Sequence, residues 1–104
     1  PGPRALVLLM GYDGRDELRA AATALGGGGA SEAQFEEALW TGHLPPVDLL
    51  IRTGGEPHLS AAFLLWRLAE AQLAFPPVAW PDFGPTQLRE QLDAYARIER
   101  RFGR

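Results

Sequence analysis

The sequence predicts an α/β fold: a partial parallel sheet of about three strands with flanking helices, forming a single partial domain over residues 1–104. Three observations lead there. Ala5–Met10 and Val47–Ile51 are short, continuously apolar runs, the pattern of strands buried on both faces of a parallel sheet. Segments with helical spacing and capping residues stand between and after them. Glycine and proline clusters punctuate the joins.

Ala5–Met10 is the first expected strand, and Gly11 to Gly14 ends it. An alanine-rich helix follows from Arg15, with Leu18, Ala22 and Leu25 as its apolar face, and the run Gly26 to Gly29 stops it. Ser31 with Gln34 three places on is a capping-box pair, so a short helix carrying Phe35 and Leu39 should reach about Trp40. Gly42 and Pro45-Pro46 then break the chain before the second strand, Val47–Ile51. A long helix is expected from near Ser60 to Phe75, ended by Pro76-Pro77. Val78–Trp80 reads as a brief third strand. Pro85-Thr86 opens a last helix with a stripe of Leu88, Leu92, Tyr95 and Phe102. Arg97, Arg100, Arg101 and Arg104 crowd its end, where positive charge complements the helix dipole.

Composition bounds the function. A net charge of -3 and a pI near 5.3 argue against nucleic acid as the main partner, so any basic site is local. All ten basic residues other than histidine are arginines, which suits planar recognition of phosphate but is equally what a codon bias would produce. The absence of cysteine excludes disulfides, thiolate metal sites and cysteine nucleophiles and permits an intracellular, cytoplasmic location. No apolar run approaches the ~18 residues of a membrane span. The chain begins with Pro1 instead of methionine, which points to an internal fragment, a processed product or an engineered boundary.

The stretch from Asp48 to Ser60 carries the chemistry. An apolar strand delivers Arg52 to its carboxyl end, where ligands of open α/β sheets bind. Gly54 and Gly55 allow a tight turn or a close approach of backbone to ligand. Ser60 and the amides of the helix expected after it would add donors for oxyanions. The natural guest of such a loop is a phosphate or diphosphate. The structural alternative is an arginine that simply pairs with an acid such as Glu56 or Asp48.

A wider set of motifs turns this into a resemblance. Asp48-Leu-Leu-Ile-Arg-Thr-Gly-Gly-Glu56, Phe63-Leu-Leu-Trp66, Trp80-Pro-Asp-Phe83, Tyr95 and Glu99-Arg-Arg-Phe-Gly103 appear in order, preceded by a weaker Tyr12-Asp-Gly-Arg15. This pattern closely resembles the cis-prenyltransferases, which include the undecaprenyl diphosphate synthases. The resemblance covers nearly all of this chain but only the carboxyl-terminal half of a typical member.

What the resemblance implies is a magnesium-dependent transferase that condenses isopentenyl diphosphate with an allylic diphosphate to make a polyprenyl diphosphate. By position, Arg52 would clamp the isopentenyl diphosphate head group, with Ser60, His58, Gly54 and Gly55 around it. Arg101 and Gly103 match a terminal Arg-x-Gly signature that, in the family's dimers, reaches towards a diphosphate. Trp66 and Trp80 stand at positions of core tryptophans, whereas Trp40 has no counterpart. The assembly the resemblance implies is a homodimer, or a heteromer with a chain supplying the amino-terminal half, close to a membrane surface because the products are polyprenyl lipids.

The departures matter equally. His58 stands where the family has a second arginine, and Ala61-Ala62 replaces a single asparagine before Phe63. Gln72 replaces the metal-associated glutamate and keeps its shape without its charge. The amino-terminal Asp-Gly-Asn-Gly-Arg-Trp signature that supplies the metal aspartate is not matched in this chain, so no metal ligand is expected here and the chain alone should not catalyse. Asp13-Gly14-Arg15 fits the later Tyr-x-Gly-Arg turn better than that signature. A non-catalytic partner subunit of a heteromeric cis-prenyltransferase is the alternative.

Overall fold

The structure, a computed structural model, describes residues 3–98. Its elements run α1 (Gly14–Leu25), α2 (Glu32–Ala38), β1 (Leu49–Ile51), β2 (Gln72–Ala74), a 3-10 turn (Trp80–Asp82) and α3 (Pro85–Ala96). β1 and β2 pair in parallel, with Leu49 opposite Gln72, Leu50 opposite Leu73 and Ile51 opposite Ala74. The architecture is therefore α/β with a small parallel sheet and flanking helices, as the sequence predicts. Among the described residues the sheet has two strands rather than about three.

The helix starts follow local chemistry. The Asp13 carboxylate accepts from the amides of Arg15 and Asp16 at the head of α1. Ser31 and Gln34 complete the expected capping box: Ser31 Oγ accepts the Gln34 amide at 3.1 Å, and Gln34 Oε1 accepts the Ser31 amide at 2.8 Å. Gln87 Oε1 likewise accepts from the Gly84 amide at 2.9 Å, with Pro85 at the first helical position of α3.

Several expectations are corrected. Ser60–Phe75 is not a helix: residues 60–70 form linked turns, with Phe63 donating to the Ser60 carbonyl, Leu68 to Leu64 and Ala71 to Leu68. The consecutive apolar residues Phe63 to Trp66 have no helical period, and Glu70 takes a left-handed φ of 70° that ends any helical winding. The chain then enters β2 at Gln72, so the second strand of the sheet lies where a helix end was expected. Val78–Trp80 makes no strand, because Pro76, Pro77 and Pro81 each lack an amide for a ladder.

Ala5–Met10 is also not a strand, since no described segment pairs with it, and its side chains are exposed. On α1 the buried face is Gly14, Glu17 and Ala21, one residue away from the Leu18, Ala22 and Leu25 face. The stripe on α3 is turned to solvent at Leu88 and Leu92. Phe102, Arg100, Arg101, Gly103 and Arg104 lie outside the described residues.

The core is small. Ala21, Leu39, Leu50 and Leu68 are its buried apolar residues among those described. A radius of gyration of 15.8 Å exceeds the about 13 Å usual for a compact chain near 100 residues. The molecule thus leaves apolar faces of its sheet and helices uncovered.

Candidate diphosphate-binding loop

The candidate site begins where β1 ends. The Arg52 amide donates to the Ala74 carbonyl at 2.9 Å, extending the β1–β2 ladder by one bond. Immediately beyond, the Gly54 amide bonds the Val78 carbonyl at 2.9 Å and the Gly55 amide bonds the Pro76 carbonyl at 3.0 Å. The loop after β1 is therefore sewn to the segment after β2, and both lie at the carboxyl end of the sheet. Gly54 and Gly55 have φ of +91° and +71°, values that side-chain-bearing residues rarely adopt. At Gly55 a Cβ would also sit 3.3 Å from Pro77 Cα.

The Arg52 guanidinium is held on three sides. Its Nη1 donates to the His58 carbonyl at 2.6 Å, and its Nη2 donates to Glu56 Oε2 at 2.9 Å. Its Cζ lies 5.5 Å from the centre of the Phe63 ring, a cation–π distance. The side chain is 21 % exposed while that of Glu56 is 61 % exposed. His58 Nε2 lies 3.7 Å from the same Glu56 oxygen. Arg52, Glu56 and His58 thus converge, with one carboxylate oxygen between a guanidinium and an imidazole.

Ser60 stands apart from its expected role. No helix begins there; its Oγ accepts the Ala62 amide at 3.3 Å and its carbonyl accepts Phe63. The amides expected at a helix start are instead used within turns, and those of Gly54 and Gly55 are used in the loop. Of the predicted donors, the structure brings Arg52 and His58 together and spends the rest on holding the loop. The acid-pairing alternative for Arg52 is what the structure contains, with Glu56 as the acid.

Gln72 is the first residue of β2, in register with Leu49. Because residues 60–70 form turns rather than the expected helix, no helical rise relates Gln72 to Ser60. Among the described residues no group of three or more His, Cys, Asp or Glu side chains could hold a metal ion. A neutral amide at position 72 does not replace a carboxylate towards magnesium. The described residues therefore do not fit a magnesium site.

Two features escaped the sequence. Glu17 is 1 % exposed yet carries a carboxylate, whose Oε2 accepts the Thr41 amide at 2.8 Å and the Thr41 hydroxyl at 2.7 Å, while Oε1 accepts the Tyr12 hydroxyl. Burial first, then the hydrogen bond to Glu17 and the charges of Glu17 and Asp13, push the Tyr12 phenol well above its ordinary value near 10. The second is a cleft of about 600 Å³ lined by Glu36, Pro46, Trp66 and the buried Arg67, apart from Arg52. Nothing in the spacing marked Glu17 as buried, because Ala20, Ala21 and Ala22 blur the face of α1.

The tryptophans divide. Trp66 packs on Phe35 with ring centres 4.8 Å apart and donates to Glu36 Oε1 at 3.2 Å. Trp80, expected in the core, is exposed and stacks on Phe83. Trp40 is exposed and meets Tyr12 edge-on.

Comparison with known proteins gives a consistent result. The family described as "Putative undecaprenyl diphosphate synthase" matches residues 3–103. An isoprenyl transferase of Treponema denticola is 43 % identical over 102 residues, covering 95 % of this chain and 44 % of the relative. A ditrans,polycis-undecaprenyl-diphosphate synthase of Haemophilus ducreyi, named as specific for (2E,6E)-farnesyl diphosphate, is 54 % identical over 70 residues, covering 67 % of this chain and 28 % of the relative. Among solved structures, lavandulyl diphosphate synthase of Lavandula x intermedia, in complex with dimethylallyl diphosphate, superposes with a TM-score of 0.80 at 33 % identity. That match covers 89 % of this chain and 44 % of the other. The chain spans less than half the length of these relatives.

Proposed function

This chain belongs to the undecaprenyl diphosphate synthase family, and we propose that it forms the isopentenyl diphosphate-binding part of a cis-prenyltransferase. The observation that carries this reading is the Arg52 guanidinium, presented at the carboxyl end of β1 with both terminal nitrogens already on oxygen acceptors. Glu56 occupies one of those positions as an exposed carboxylate, and an exposed ion pair is worth only about 0.2–1 kcal/mol. A diphosphate carries more charge than a carboxylate and offers bidentate oxygens to the same fork. It displaces Glu56 and takes its place, with His58 alongside.

In the proposed reaction the double bond of isopentenyl diphosphate attacks the allylic carbon of the second substrate. The new carbon–carbon bond forms as the allylic carbon–oxygen bond breaks, diphosphate departs, and a proton is lost from the isopentenyl unit. The role of this chain is to hold and orient the isopentenyl head group through Arg52 and the glycine loop. No step is routed through magnesium, because the described residues do not provide its ligands. The remaining machinery belongs to the part of the fold that this chain does not match. The assembly is a homodimer or a heteromer in the cytoplasm, beside the membrane into which a polyprenyl product partitions.

A second reading is favoured by Gln72: a non-catalytic subunit that binds a diphosphate and supports an active partner. Turnover after adding an amino-terminal half that carries the metal aspartate distinguishes the two.

The direct test is calorimetric titration with isopentenyl diphosphate and with inorganic diphosphate. Binding is expected for both, tighter for the isopentenyl ester. Arg52→Ala removes a charge-assisted contact of about 1.5–3 kcal/mol and should weaken binding roughly tenfold or more. No binding to the wild-type chain, or equal binding by the variant, refutes the assignment.

A further inference from the structure

One carboxylate oxygen on the loop after β1 faces two bases. Glu56 Oε2 accepts from Arg52 Nη2 at 2.9 Å and lies 3.7 Å from His58 Nε2. The first contact is a made hydrogen bond and the second is not. Closing it to the ~2.7–2.9 Å of a charged hydrogen bond needs a shift of about 1 Å. Burial pins neither side chain, since Glu56 and His58 are both 61 % exposed. The backbone of His58 is held, because its carbonyl accepts Arg52 Nη1 at 2.6 Å and its amide donates to the Glu56 carbonyl at 2.8 Å. That tight turn keeps the imidazole beside both charged groups whichever way the carboxylate leans. Among the described residues, the charged groups facing His58 are Glu56 and Arg52. Pro76, Pro77 and Val78, against which the loop is sewn, carry no titratable side chain.

A guanidinium stays charged, whereas an imidazole is charged only when it carries a second proton. With His58 neutral, Arg52 is the one cation beside Glu56, and the carboxylate stands where an incoming anion must bind. We propose that Glu56 and His58 form a proton-coupled gate on Arg52: when a diphosphate takes the guanidinium, the Glu56 carboxylate passes to His58, and the imidazole takes up a proton from solvent. The bound proton leaves Nε2–H facing Glu56 Oε2 and adds one positive charge beside a multiply charged anion. Two effects then act in one direction. The imidazolium draws the carboxylate off Arg52, and its charge attracts the ligand. Linkage is reciprocal, so a ligand that favours the protonated imidazole is favoured by it in equal measure. Diphosphate binding therefore tightens as pH falls through the imidazole range, and above that range Glu56 inhibits the site. The inference rests on the diphosphate reading of Arg52 and adds its regulation.

Calorimetric titration with inorganic diphosphate, in buffers of different ionisation enthalpy near ~pH 7, counts the protons taken up on binding. The ligand titrates in this range too, so the readout is the difference between wild type and His58→Gln, in which the ligand's own protons cancel. Wild type is expected to take up as much as about one proton more per ligand than the variant. Its affinity relative to His58→Gln should rise about fivefold between ~pH 8 and ~pH 6, the effect of one unit charge at ion-pair distance in water. His58→Arg, charged at both values, should hold that advantage over His58→Gln throughout. Glu56→Gln keeps the side chain's shape without its charge, and should bind more tightly than wild type at ~pH 8, by a margin that shrinks at ~pH 6. Equal proton uptake by wild type and His58→Gln overturns the gate. So does a His58→Arg variant with no advantage over His58→Gln, or a Glu56→Gln variant that binds no more tightly than wild type at the higher pH. Wild-type binding that ignores position 58 removes the gate and leaves the diphosphate reading standing, whereas no binding at either pH refutes both.

Discussion

Glu17→Ala should cost this protein more stability than any change on its surface. The Glu17 carboxylate accepts the Thr41 amide at 2.8 Å and the Thr41 hydroxyl at 2.7 Å through one oxygen, and the Tyr12 hydroxyl through the other. It thereby ties α1 to the turn after α2 and to the segment entering α1. Truncation leaves the Thr41 amide without an acceptor, because Thr41 is itself buried. An orphaned buried donor costs about 1–3 kcal/mol, and the Tyr12 and Thr41 hydroxyls each lose a bond to a charged group. A loss of roughly 3 kcal/mol is expected once the hydroxyls re-pair in part with water. For a domain of this size, each kcal/mol moves Tm by about 4–8 °C. The melting midpoint, followed by circular dichroism, should therefore fall by roughly 12–24 °C. Glu17→Gln keeps an acceptor for Thr41 and turns a donor towards the Tyr12 oxygen, so its loss should stay near ~1 kcal/mol. A Glu17→Ala midpoint within about 4 °C of wild type would show that the buried carboxylate does not hold these segments together.

Other outcomes follow from the same geometry. The Tyr12 phenol titrates higher in the folded protein than its unfolded value near 10. Its contribution is therefore fully present below that value and is lost as pH rises above it, so alkaline unfolding curves should steepen there and flatten in Tyr12→Phe. Gly55→Ala must place a side chain at φ +71° and against Pro77, at a cost of about 1–2 kcal/mol, and should weaken diphosphate binding by disturbing the Arg52 loop. A denaturant midpoint and a titration check both parts. Ser31→Ala removes half of the capping box on α2 and should lower stability by about 1 kcal/mol with no effect on diphosphate affinity.

Local signals were legible wherever the residues answer only to their neighbours. Ser31 and Gln34 cap α2 because the geometry of a helix start fixes which side chain reaches which amide. Gly54 and Gly55 occupy left-handed backbone beside Arg52 for the same local reason. Elements that depend on distant partners were not legible. Residues 60–75 contain enough helix formers to suggest one long helix, but the crossover from β1 must deliver Gln72–Ala74 alongside Leu49–Ile51, and that pairing selects turns followed by a strand. Tertiary pairing overrode propensity there. Glu17 failed in the other direction, because a carboxylate is read as solvent-facing unless its partners are known, and Thr41 lies 24 residues away.

The candidate site shows how these two kinds of information combine. Sequence placed Arg52 correctly at a strand end, and it offered both a ligand and an acid as the guanidinium's partner. The structure pairs Arg52 with Glu56, so the proposed diphosphate would have to displace that carboxylate. Glu56 is mostly exposed, so separating it from Arg52 costs little desolvation. Arg52 is mostly sheltered and stacked beside Phe63, so its orientation does not depend on the carboxylate. The Gly54 and Gly55 amides bond to the carbonyls of Val78 and Pro76, which ties the loop to the segment after β2 independently of Glu56. Exchange of one anion for another therefore leaves the loop's own bonds intact. A loop that relied on the Arg52–Glu56 pair for its shape would have to unfold to admit the proposed diphosphate, whereas here binding would require only that the Glu56 side chain be released.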